Sequence, residues 1–203
     1  MNLIAASLLG LGVGVKHALE ADHLAAVCTF VSQGGGVMRA AKTGALWGLG
    51  HAAAIVVAGG LLVATGAQVP GPLAIVFDLA VAAMLIGLGA AALFSRRGAA
   101  MAAAARARRP LAVGLVHGAS GTAALTLLVA STIPVRAEAL AFVGAFGIAS
   151  LVGMASVAAL VAVPLRSMAQ RAPEHVRLLQ GAAGVASIAA GLAVAWATVG
   201  PGV

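Results

Sequence analysis

Charge is what this chain has least of. Of its 203 residues, 12 are Lys or Arg and 5 are Asp or Glu, 8% in all. Soluble domains carry roughly 25%, so a water-facing surface cannot be built from this composition, and an ordinary soluble domain is excluded. Cysteine is nearly absent. Cys28 stands alone, which excludes an internal disulfide and any relay that needs two thiols. The N-terminus has neither a basic leading segment nor a small-residue cleavage site, so residues 1–31 read as a retained span, not a removed signal. The glycine run "SQGGG" at 32–36 lacks the Lys-Ser/Thr ending of a phosphate loop.

What is present is apolar. Hydrophobic residues make up 62% of the chain, and 27 residues are glycine. Runs of about 20 apolar residues recur, each long enough to cross a ~30 Å hydrocarbon layer. Six spans are expected, at about 3–31, 44–66, 72–94, 111–132, 138–164 and 179–199. The expected fold is thus an all-α integral membrane protein, one transmembrane domain over 1–203. The net charge of +7 does not indicate nucleic-acid binding, because the basic residues fall in short connections. Arg39, Lys42, Arg96, Arg97, Arg106, Arg108, Arg109, Arg166, Arg171 and Arg177 all lie in the first, third and fifth connections, ten of the twelve. By the positive-inside rule that side is cytoplasmic and both termini are outside. The expected location is the cytoplasmic (inner) membrane.

Two segments resemble each other at an offset of 100 residues. "VGVKHALEADHLAAV" at 13–27 aligns with "VGLVHGASGTAALTLLV" at 113–129, so His17 meets His117, and Glu20 and Asp22 meet Ser120 and Thr122. Units of three spans, about 3–95 and 111–199, enter the membrane with opposite orientation. That predicts a 3+3 inverted repeat with binding near the midplane, the plan of many secondary transporters.

An ionisable group inside a span costs about 2.5–3.5 kcal/mol on insertion scales and marks a functional site by default. The candidates are Lys16, His17, Glu20, Asp22, His23, His51, Asp78 and His117. On a regular helix with His17 at zero, Glu20, His23 and Asp22 fall at about 300°, 240° and 140°. Asp22 therefore lies off the arc shared by the other three. Either the helix unwinds here, for which Gly12 and Gly14 offer freedom, or Asp22 holds a histidine ring from behind. Four histidines can meet in the cytoplasmic half of the bundle. Imidazole with carboxylate suits Ni, Co, Zn or Cu(II), and the scarcity of thiolate argues against Cu(I). Blander roles are expected elsewhere. His175 is solvated, and Glu138 and Glu174 are interfacial. Met84, Met101 and Met154 pack, while Trp47 and Trp196 anchor at interfaces. Lys16 snorkels or neutralises a carboxylate, Glu20 pairs with Lys16 or lines the pathway, and Asp78 is an anchor or a pathway acid.

These residues resemble a family. "HALEADH" is similar to the His-x4-Asp-His signature of the nickel/cobalt transporter (NicO) family, and "GVKHALEADHLAAV" resembles its small urease-accessory branch. "LGHAAAIV" resembles the family's Leu-Gly-His element, "FDLAVAAMLIGLG" its acidic third-span element, and "GLVHGASGTAAL" its Gly-x-x-His-Gly element. The resemblance implies a permease for Ni2+ or Co2+ with His17, Asp22 and His23 as central ligands, joined by His51 and His117, with Asp78 as the third-span acid. It also implies urease-maturation or nickel-delivery proteins as partners. The chain departs from the family in Glu20, in the missing long cytoplasmic loop, in a missing first span, and in Gly121 where an Asp usually precedes Thr122.

The expected function is secondary transport of a divalent transition metal, nickel first and cobalt second, with the lipid bilayer as surroundings and no tightly bound cofactor. Because imidazole must be neutral to bind, metal and proton compete for such a site. An enzyme is not expected. An intramembrane metalloenzyme would need a nucleophile or base set apart from the ligands, and no His-Glu-x-x-His is present. A small-anion exporter would need a cationic site, for which Lys16 is the one intramembrane candidate.

Overall fold

The computed structural model describes residues 1–32, 36–67, 70–94, 108–120, 129–171 and 173–200. Among them the main elements are seven helices: α1 (Leu3–Ala18), α2 (Ala21–Ser32), α3 (Gly36–Thr65), α4 (Gly71–Phe94), α5 (Arg108–Gly118), α6 (Arg136–Arg171) and α7 (Pro173–Val199). Four of them, α3, α4, α6 and α7, are long and apolar enough to cross a membrane. The pair α1–α2, bent by 56°, makes a fifth span if it is counted as one. The described residues form an all-helical structure, with the helices of a multi-pass membrane protein. Of the expected span at 111–132, α5 supplies the beginning, a turn follows at 119–120, and 121–128 lie outside the described residues. Met101 and Glu174 also have side chains outside the description.

Helix and span are not the same length. α3 starts at residue 36, not 44, and carries Arg39 and Lys42, which were expected in a connection. α6 continues through Pro164 to Arg171. Thirty residues of helix measure about 45 Å, against a ~30 Å hydrocarbon core, so the basic ends of both helices reach past the apolar layer.

The first span breaks at Leu19–Glu20. The Leu19 N–H bonds back to the Lys16 carbonyl and the Glu20 N–H to the His17 carbonyl, each at 3.0 Å. Such three-residue closures tighten and end a helix. α2 restarts at once, with Asp22 in its first turn, where a carboxylate complements the helix dipole. α5 ends in the same way a hundred residues later, with Ala119 bonded to Val116 and Ser120 to His117, each at 3.3 Å. Gly12 and Gly14 are not the source of the break. α1 is regular through both, and Gly12 has nothing near it.

Close packing explains Gly14. In lipid there is little hydrophobic drive between helices, so small residues let backbones approach and gain dispersion contact. A Cβ on Gly14 would collide with the Phe146 carbonyl of α6, and one on Gly114 with the Trp47 carbonyl of α3. α4 and α7 interlock twice. A Cβ on Gly89 would meet the Gly184 carbonyl and the Ile188 side chain, and one on Gly191 would meet the Ala82 carbonyl and the Ile86 side chain. The second contact is the first with the two helices exchanged. α6 packs along both α1 and α3, α3 also carries α5, and α2 lies against α7. Two buried clusters result, one around Trp47, Leu85 and Met154 and one around Ile55, Phe142 and Phe146.

Candidate metal centre

The break in the first span decides where its side chains go. His17 lies in the last turn of α1 and His23 in the first turn of α2, so the two rings turn toward each other with centroids 4.4 Å apart. His51, midway along α3, lies with its centroid 5.0 Å from each of them. His117, in the last turn of α5, stacks on His23 at 4.3 Å. All four histidines are buried. Trp47 walls the cluster on one side, 5.4 Å from His23 and 5.6 Å from His117. Phe146 walls it on the other, 5.2 Å from His17. The histidines thus sit where the two apolar clusters meet.

Two carboxylates order the rings. Asp22 Oδ1 accepts from the backbone N–H of His23 at 2.9 Å and from its ring Nδ1 at 3.0 Å. Its other oxygen, Oδ2, accepts from His117 Nε2 at 3.0 Å. Glu20 Oε2 accepts from His17 Nδ1 at 2.9 Å. Each bond to an ionised carboxylate places a proton on one ring nitrogen and a lone pair on the other. His17 Nε2 then carries a lone pair and accepts from His51 Nε2 at 2.9 Å. His23 Nε2, His51 Nδ1 and His117 Nδ1 are left as buried lone pairs with no partner among the described residues. Buried polar atoms are rarely left so. Three in one cluster, backed by two carboxylates, are donors that could hold a cation. Two donor sets lie close enough to hold one: His17, His23 and His51, and Asp22, His23 and His117. In each, the donor atoms are all within 4.8 Å of one another.

The structure therefore brings together His17, Glu20, Asp22, His23, His51 and His117. Both routes left open for Asp22 are taken, since the helix breaks and Asp22 holds a histidine ring. Glu20 pairs with His17, not with Lys16. Lys16 is exposed on α1, and Asp78 is half-buried on α4, outside both donor sets. Glu138 is buried and lies 3.9 Å from the N-terminal amine. His175 and Trp196 are exposed, and Met154 is core.

Trp47 departs from expectation, because it is fully buried against the histidines instead of anchoring at an interface. It lies four residues before His51, on the same helix face, and that spacing is the signal that identifies it. Set against "LWGLGH" at 46–51, "AFGIAS" at 145–150 is identical only at Gly48 and Gly147, and that register puts Phe146 beside Trp47 and Ser150 beside His51. Ser150 Oγ donates to the Gly14 carbonyl at 3.4 Å.

No protein-family model and no solved structure matches the chain. A curated protein does. Over 196 residues, covering 89% of this chain and 86% of that protein, the sequence is 26% identical to the urease accessory protein UreH of Bacillus sp. (strain TB-90), and the chain is a distant homologue of it.

Proposed function

We propose that this chain is a permease that moves a divalent transition metal, nickel first and cobalt second, across the cytoplasmic membrane. The observation that carries the reading is the set of buried imidazole lone pairs without partners, held in register by Asp22 and Glu20. Borderline divalent ions take such nitrogen and carboxylate donors. Carboxylates behind the rings raise their basicity and fix their tautomers. The ligands are His17, His23 and His51, with Asp22 and His117 beside them, and His17 Nε2 becomes a free donor when an entering ion displaces its hydrogen bond to His51. Glu20 acts through His17. Similarity to a urease accessory protein, together with the resemblance of the signature to nickel/cobalt transporters, ranks nickel ahead of cobalt and makes urease-maturation proteins the expected partners.

Six spans complete the reading, the fourth formed by α5 and the residues after it, with both termini outside. An inverted repeat of 3–95 and 111–199 is supported by three features: helix ends that match after His17 and His117, the exchange of partners between Gly89 and Gly191, and the pairing of Trp47 with Phe146 across the cluster. Rocking of one unit against the other would open the site to each side in turn.

The test is flux into liposomes holding a metal-responsive dye. With Ni2+, Co2+, Zn2+ or Mn2+ added outside, the wild type admits Ni2+ or Co2+, and His17→Ala and His23→Ala admit neither while keeping their helix content. Metal that stays bound through dialysis with no flux would replace the transporter with an intramembrane metalloenzyme.

A further inference from the structure

We propose that the cluster holds its cation at two overlapping positions in turn, His17–His23–His51 and Asp22–His23–His117, with His23 a ligand in both. The inference rests on the cation-transport reading above and deepens it.

Four observations carry it. Each set is complete on its own, with three donors within 4.8 Å of one another. His23 is the one residue common to both, and its ring is flanked almost evenly, 4.4 Å from His17 on one side and 4.3 Å from His117 on the other. The two sets are closed separately. His17 and His51 are joined by an Nε2–Nε2 hydrogen bond of 2.9 Å, and Asp22 and His117 by one of 3.0 Å; an ion entering either set takes the place of the proton in that bond, which passes to the unpartnered Nδ1 of His51 or His117. Finally, His17 and His117 occupy the same position at two matching helix ends, so each set takes its outer histidine from a different half of the chain.

Two occupied sets would place two divalent charges a few ångströms apart around one shared ring, where they repel strongly. One ion at a time is therefore held. The sharing solves a problem of passage. An ion that left one complete shell before entering another would stand bare in an apolar interior, which is costly. With His23 common to both, the ion trades two ligands for two others and is never without protein donors. Conduction requires sites that are tight enough to enter and weak enough to leave, and two sets of three donors meet that condition better than one shell of five ligands.

The experiment uses full-length protein in detergent and liposomes, with Ni2+ and Co2+ alone as probes. Calorimetry on the wild type gives one ion per chain, and X-ray absorption of bound Co2+ counts three imidazoles. His117→Gln keeps the first set, so affinity stays within about fivefold while flux falls by at least about tenfold. His17→Gln retains binding at the second set, weaker by about 10–100-fold, and the imidazole count drops from three to two. His23→Gln removes binding from both. The inference is overturned if His17→Gln and His117→Gln abolish binding as completely as His23→Gln, if two ions bind at once, or if His117→Gln transports like the wild type. An imidazole count of four on the wild type overturns it without any substitution, which covers variants that do not fold. A wild type that binds no ion overturns the transport reading itself.

Discussion

Asp22 has two oxygens, and each meets a different imidazole from a different part of the chain. An amide in its place offers one acceptor and one donor, so one of the two rings loses the bond that sets its tautomer. Asp22→Asn is expected to lower Ni2+ affinity by about 10–100-fold with helix content unchanged, read by calorimetry and circular dichroism. Glu20→Gln is expected to cost less, because its side chain is 37% exposed and water can serve His17 in its place. Most of this cluster was legible from residue types and spacing alone. His17, Asp22 and His23 stand out as ionisable groups in an apolar run, and the helical wheel already set Asp22 apart from the others. Glu20 was harder, because on a helix it is as well placed for Lys16 as for His17. The choice falls to His17 once the helix has tightened after Ala18. Trp47 was misread for a different reason. Hydropathy gives depth along a span but not direction around it, and an indole near the end of an apolar run looks like an anchor. Because α3 begins at Gly36, Trp47 stands about 16 Å along the helix and faces inward.

The elements meet through glycine. On α5, Gly114 lets the backbone come so near α3 that a Cβ would strike the Trp47 carbonyl and the His51 backbone nitrogen. Gly114→Ala is expected to push α5 away, taking His117 from Asp22, and to lower metal flux by at least about tenfold. Gly12→Ala, where a Cβ meets nothing within 4 Å, is expected to leave flux within about twofold. The two variants measured side by side in liposomes check the packing against the general effect of adding a methyl group. Element type and order were legible, since every expected span coincides with helix wherever it is described, apart from the break at Leu19–Glu20, the turn at 119–120 and the end residues Gly66 and Thr132. Ends were not. Arg39 and Lys42 close the apolar run, but a lysine or arginine favours helix as well as most residues do, so the backbone bonds carry on past the membrane boundary. The break was foreseen only as one of two options, because no proline or glycine marks Leu19–Glu20. What marks it is the need to bring His17 and His23 together, and a linear pattern does not encode that.

At the scale of the whole molecule, orientation is the open test. In a Cys28→Ser background, Asn2→Cys is expected to react with a membrane-impermeant maleimide on intact cells, and Arg171→Cys only after permeabilisation. The opposite pattern would reverse the topology drawn from the basic residues. The proposed repeat rests in the sequence on one point, the two histidines a hundred residues apart. Its proposed second match would pair Trp47 and His51 with Phe146 and Ser150, keeping size and place but not the chemistry. The bend between α1 and α2 measures 56°. His17 lies on one side of it and His23 on the other, so the distance between these two rings and the angle between the two half-helices are one variable. Pivoting α2 by about 30° would carry His23, about 6 Å beyond the bend, through roughly 3 Å, more than a metal–nitrogen bond of about 2.1 Å spans. Linkage then works in both directions. Whatever angle brings the rings to bonding distance is the angle that a captured ion stabilises, and whatever sets the angle sets the grip. Under the proposed transport function the cargo would act as the effector of its own carrier, and its release would be the straightening or sharpening of a single bend.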